Sequence, residues 1–146
     1  MLCKPFCELF VHSLEDMAVS RKDVIKAALS LIFRKDIDLS ILRTYFSDDY
    51  EQYVDDEFIN YRDFVKHVEK VRELAEDLKI DFLQLIEEGS VVFSRHKATT
   101  MIHGKLTTLI VFAEFHVNEY DKISKCIETT CLLSGNKEHE NLGSTK

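Results

Sequence analysis

From Ile80 to Leu133 four apolar, β-branched segments follow one another directly, and no other feature of the 146 residues restricts the fold as much. They are Ile80 to Glu87, Val91 to Ile102, Leu106 to Val117 and Ile123 to Leu133, rich in the Val, Ile, Phe and Thr that suit a pleated, half-buried surface. Between them stand Glu88-Gly89-Ser90, His103-Gly104-Lys105 and Asn118 to Lys122, which carry the glycine, asparagine and aspartate of tight turns. Connections this short join antiparallel neighbours, so a four-strand meander is predicted. Its third strand is apolar on both faces: Leu109, Val111, Ala113 and Phe115 alternate with Leu106, Ile110 and Phe112. A sheet with one solvated face alternates apolar and polar residues instead, so both faces of this one need a cover.

The preceding residues supply helices for one cover. Asn60 with Asp63 three residues on, and Ile59 facing Phe64, form a helix start, and Phe64, Val68, Val71, Ala75 and Leu78 form one stripe of a helix predicted from about Tyr61 to Lys79. Ser20 with Asp23, and Val19 with Val24, repeat that signature ahead of Val24, Ile25, Ala28, Leu31 and Ile32. Asp38 is suited to cap a short helix from Leu39 to about Thr44, and Tyr50, Gln52 and Val54 then alternate with Glu51, Tyr53 and Asp55 as in a strand. The fold class is α+β, with helices on one face of a curved antiparallel sheet. The other face is expected to be covered by a second copy, as a homodimer packed sheet to sheet.

A chain of this size, 45% apolar and 31% charged, with four Gly and one Pro, reads as one globular domain over residues 20 to 134. Residues 1 to 19 read as an extension without signal-peptide character, and residues 135 to 146 as a polar tail, mobile unless a partner holds it. No stretch approaches the roughly 20 apolar residues of a membrane span. A net charge of -7 speaks against nucleic acid, whose phosphates attract clustered Lys and Arg. Cys3, Cys7, Cys126 and Cys131 lack CxxC spacing, which points to reduced thiols and a cytoplasmic location. His12, His67, His96, His103, His116 and His139 form no HxxxH pair, so neither a metal nor another cofactor is expected. Asp55 and Asp56 are adjacent, point to opposite sides of an extended chain, and suit a turn before the long helix better than a proton-sharing pair.

The order of elements, together with Tyr50, Gln52, Val54 and Asp55, Phe64 and His67, Arg95-His96, Asp121-Lys122-Ile123, and Cys126 with Glu128, resembles the nuclear transport factor 2-like superfamily and its SnoaL-like, polyketide cyclase-related branch over about residues 20 to 134. Asn141-Leu142-Gly143-Ser144 also looks like an ending found in that branch. The resemblance implies a cone: a curved sheet wraps the long helix, and its open end is a pocket for a small, mostly apolar molecule. Members include isomerases, dehydratases, epoxide hydrolases and polyketide cyclases, and others that bind or assemble without catalysis, so the fold alone does not choose among these.

With turns of three, three and five residues, the register places Phe82, His96, Phe112 and Glu128 in one row. The opposite face carries Leu83, Arg95, Lys97, Ala113, Lys125 and Ile127, whose cations suit a solvent or dimer face, so the His96 face is pointed inward. Tyr45, Gln52, Phe64, His67, Ser94 and Glu114 join Phe82 and Phe112 as the expected pocket lining. In the catalytic reading His96 is the acid or base near neutral pH, Glu128 orients it or a water, and Tyr50 or Tyr45 donates to a developing oxyanion, as in a cofactor-independent isomerase, cyclase or hydrolase. In the alternative, His96 and Glu128 are structural partners in a non-catalytic ligand-binding or dimeric assembly module. The acids Asp48, Asp49, Glu51, Asp55, Asp56 and Glu57, unaccompanied by Lys or Arg between Thr44 and Tyr61, favour a neutral or cationic ligand.

Overall fold

The computed structural model describes residues 19–137 and Leu142; the expected extension, apart from Val19, lies outside the described residues. The element order is α1 (Arg21–Leu31), α2 (Ile41–Tyr45), β1 (Phe46–Val54), β2 (Glu57–Asn60), α3 (Tyr61–Leu74), β3 (Glu76–Glu88), β4 (Val91–Ile102), β5 (Lys105–Val117) and β6 (Ile123–Ser134). The six strands form one sheet in the order β2-β1-β6-β5-β4-β3. The meander β3 to β6 is antiparallel, as is the β1–β2 hairpin, but β1 lies parallel to β6, so the sheet is mixed rather than purely antiparallel.

The helix starts follow local chemistry. Asn60 Oδ1 accepts from the Asp63 N–H at 3.0 Å, satisfying one of the open donors at the start of α3. At α1 the Ser20 side chain makes no cap; its hydroxyl donates instead to Glu87 of β3 at 2.8 Å, and Val19 stays exposed, so the expected staple is absent. Asp38 accepts from the Ser40 N–H at 2.8 Å, and α2 begins at Ile41, two residues later than the sequence suggests. Arg72 of α3 donates to the carbonyls of Ile32 and Ile37 at 2.8 and 2.6 Å, tying α3 to the open end of α1.

Two differences from the sequence expectation concern length. Helix α3 stops at Leu74, not Lys79, because Glu76 to Ile80 pair with β4, and the Thr100 hydroxyl donates to the Glu76 carbonyl at 2.6 Å. Leu78 and Ile80 then pack with Val71 and Leu109 as strand residues. Asp55 and Asp56 form the turn of a hairpin rather than leading straight into α3; both have positive φ, 45° and 73°, as a two-residue type I′ turn requires.

A third difference is in register. His103 and Gly104 alone make the β4–β5 turn, with φ of 49° and 74°, so Ile102 pairs with Lys105. Against the expected three-residue turn this is a slip of one, which turns a strand's faces over. His96 therefore pairs with Val111, and Phe112 pairs with Arg95 on the outside. A second one-residue shift between β5 and β6 sets Glu128 opposite Ala113. The two shifts cancel for β6: Glu128 still faces inward with His96, while Phe112 and Glu114 face out. Ala113, placed outside by the sequence, is buried inside. Phe82 does pair with His96, because the bulge at Leu83 offsets a β3–β4 turn one residue shorter than expected.

The main core lies between the inner face of the sheet and the helices, with Ile25, Ala28, Phe46, Phe64, Val68, Val92 and Ile123 packed together. Phe46, Tyr50 and Phe64 form an aromatic cluster with centroids 4.7 to 4.9 Å apart. Leu142, within the segment read as a polar tail, is 6% exposed and packs with Val71, Ala98, Ile102 and Leu109. A single leucine among polar neighbours gives no periodic signal, and the burial of that one side chain is what overturns the expectation for this residue.

Candidate functional site

Between the inner face of the sheet, α1 and α3 lies a cavity of about 90 Å³. Most of its wall is apolar, including Ile32, Phe33, Val71, Leu109 and Leu142, and its polar side chains come from β1, α3, β4 and β6. For comparison, a cavity of roughly 150 Å³ lined by aliphatic and aromatic side chains admits benzene.

The polar side chains arrive in pairs because residues two apart in a strand share a face. Tyr50 and Gln52 come from β1, and Cys126 and Glu128 from β6; the parallel register sets Gln52 beside Cys126 and Val54 beside Glu128. The Tyr50 hydroxyl donates to Gln52 Oε1 at 3.2 Å, and Cys126 Sγ lies 3.6 Å from Glu128 Oε2. Burial raises the Glu128 carboxyl to about 7; Cys126 and Gln52 stabilise the anion, while the charge of Asp55 opposes it. Burial likewise pushes the Tyr50 phenol and the Cys126 thiol well above their ordinary values, with the Glu128 charge adding to both, so neither is an anion at neutral pH.

His96 enters from β4. Its Nδ1 lies 2.9 Å from Ser94 Oγ, and its ring is 5.6 Å from that of Phe82. Burial lowers its titration to about 4, so the imidazole is neutral at pH 7 and offers through Nε2 whichever role, donor or acceptor, Nδ1 does not use toward Ser94. His67, from α3, is buried, stacks near Phe64 at 6.3 Å and also lines the cavity.

Of the residues singled out in the sequence, His96, Glu128, Tyr50, Gln52, Phe64 and His67 meet at this cavity. Ser94 and Phe82 stand beside His96 rather than in the wall, and Tyr45 packs against the core without reaching the cavity. Phe112, 54% exposed, and Glu114, bonded to His116 at 2.7 Å, belong to the outer face. Thr130 and Cys126 line the wall but were not selected from the sequence; their signal was the two-residue spacing from Glu128. The α1 residues Leu29, Ile32 and Phe33 and the isolated Leu142 carried no polar mark.

Among the described residues no helix is long and apolar enough to cross a membrane. No protein-family model matches the sequence. An uncharacterised protein of Schizosaccharomyces pombe, C11D3.04c, is 27% identical over 109 residues, 75% of this chain and 84% of that protein. Among solved structures, AclR from Streptomyces galilaeus superposes with a TM-score of 0.67 at 18% identity, covering 86% of each chain. An LEH-like epoxide hydrolase of M. tuberculosis gives 0.63 at 14% identity over 76% of this chain and 82% of its own. A nuclear transport factor 2-like protein of unknown function from Exiguobacterium sp. 255-15 gives 0.64 at 16%, over 74% of this chain and 98% of its own.

Proposed function

For a chain with the nuclear transport factor 2-like fold, we propose that the cavity binds a small, largely apolar organic molecule, neutral or cationic, and moves a proton on it without a cofactor, as an isomerase, cyclase or hydrolase does. The observation that carries this reading is the meeting of Glu128, Tyr50, Gln52 and His96 in the wall of one mostly apolar cavity. The roles differ from those read in the sequence. A carboxyl held near 7 is close to equally protonated and ionised at physiological pH, which suits Glu128 to be the acid and base. A neutral imidazole polarises or positions a substrate oxygen by hydrogen bonding, and that is the role of His96. Tyr50, kept as a phenol, supplies a further polar contact. That an LEH-like epoxide hydrolase is among the structural neighbours is in keeping with this reading.

The test is turnover of a panel of small epoxides and enolisable ketones by the parent, Glu128→Gln and His96→Ala. Loss of at least about a hundredfold in Glu128→Gln supports the acid-base role. Unchanged turnover in both variants overturns it. The small volume of about 90 Å³, narrowed by the chain's own Phe and Leu side chains, favours the alternative of a binding module without turnover. In that case Glu128→Gln alters affinity and no member of the panel is converted.

We also propose a cytoplasmic homodimer through the outer sheet face. There Ile86, Phe93, Phe112 and Ile127 stand about half exposed on neighbouring strands. Arg95 and Glu114 lie among them, giving the patch both charges for a self-complementary contact.

A further inference from the structure

Glu128 is presented to the cavity by a strand segment that one residue of the β1–β2 turn holds from outside. The backbone N–H of Asp55 donates to the Glu128 carbonyl at 3.1 Å. Its carboxylate accepts from the Thr130 N–H at 3.1 Å and from the Thr130 hydroxyl at 2.7 Å. The three bonds fix residues 128 and 130, both of which line the cavity. The β1–β6 ladder ends where Val54 meets Glu128, so the Asp55 side chain supplies the acceptor that a longer β1 would have given Thr130.

Asp55 and Glu128 also line one groove beside the β1–β2 turn, with Tyr53, Asp56, Lys125 and Thr129. Glu128 thus stands in the partition between the cavity and this groove. An asparagine would keep an acceptor for Thr130 but remove the charge, so the two consequences of an aspartate here are separable.

We propose that Asp55 is a positioning residue for the proposed acid-base centre: it locks the β6 segment carrying Glu128 and Thr130 and sets a fixed negative charge on the groove side of the Glu128 carboxyl. The inference rests on the reading of Glu128 given above. The other groups around that carboxyl are Tyr50 and Gln52 from β1, Cys126 from β6, Asp56 and Lys125 along the groove, and His67 and His96 across the cavity from α3 and β4.

The experiment is a carboxyl carbon NMR titration of the full chain in the parent, Asp55→Asn and Asp55→Ala, with Glu128→Gln to assign the signal, and amide hydrogen exchange at Thr130 as second readout. Both Asp55 variants are expected to lower the Glu128 titration by about half a pH unit or more, since a nearby like charge is gone. Asp55→Ala is expected to lose about tenfold or more of the Thr130 amide protection, and Asp55→Asn to keep most of it. A Glu128 titration near 7 that neither variant moves overturns the proposal and leaves the proposed function standing. A parent Glu128 in the ordinary carboxylate range overturns the acid-base reading and the charge effect together, and unchanged Thr130 exchange in Asp55→Ala overturns the lock.

Discussion

Ser94 Oγ and His96 Nδ1 lie 2.9 Å apart in a buried contact that holds the imidazole ring at the cavity wall. Burial lowers the His96 titration to about 4. The unfolded chain, with an ordinary histidine near 6.5, therefore binds more protons than the folded one between about 4 and 6.5. Stability from His96 is fully present above that window and is lost as pH falls through it, by up to about 3 kcal/mol. Urea unfolding of His96→Ala against the parent at pH 7 and pH 4.5 is expected to show a smaller loss of stability with acid in the variant.

Glu128 gives the opposite slope. Its folded titration is raised to about 7 from 4.5, so between those values the folded state holds the extra proton. The stabilisation is present below about 4.5 and fades as pH rises through 7. Glu128→Gln is expected to gain stability relative to the parent between pH 5 and pH 8, by up to about 3 kcal/mol, measured as the shift in urea midpoint. A constant difference across that range would contradict the raised titration.

Phe112 is placed outside by the two-residue His103-Gly104 turn, and it is half exposed. Phe112→Asp is expected to leave the circular dichroism spectrum unchanged and to lower the mass measured by light scattering from twice 17.0 kDa to 17.0 kDa. A parent that already scatters as a single chain at micromolar concentration would remove the dimer.

Leu142 fills part of the cavity wall. Leu142→Ala is expected to cost about 2 kcal/mol or more in urea unfolding, in line with other large-to-small core changes. It is also expected to raise the affinity for 2-naphthol over that for phenol, measured by calorimetry, because the larger ring gains the space vacated.

The meander, the start of the third helix and the inward face of His96 were legible in the sequence because they depend on alternation, a capping pair and turn residues within a few positions. The first helix, by contrast, starts without its expected cap, and Glu128 faces inward because two one-residue register shifts cancel. The end of α3 was not. Ala75, Leu78 and the residues around them fit a helical stripe, and what makes Glu76 to Ile80 a strand is pairing with Thr99 and Ala98 far along the chain. The outward turn of Phe112 was hidden for a related reason: the choice between a two- and a three-residue turn rests on backbone dihedrals at His103 and Gly104. Of the site, the polar side chains carried their own mark, while the hydrogen bonds from Asp55 to Thr130 exist through a parallel pairing that no local pattern announces.

That parallel pairing also dates the site within the life of the chain. Gln52 and Cys126 stand side by side, as do Val54 and Glu128, although each pair is separated by more than half of the sequence. During synthesis the first strand leaves the ribosome long before the last, and its inner edge waits without a neighbour. A nascent chain halted before Ile123 would thus possess the helices, the hairpin and three strands of the meander, yet have neither Glu128 nor the partner that β1 must find.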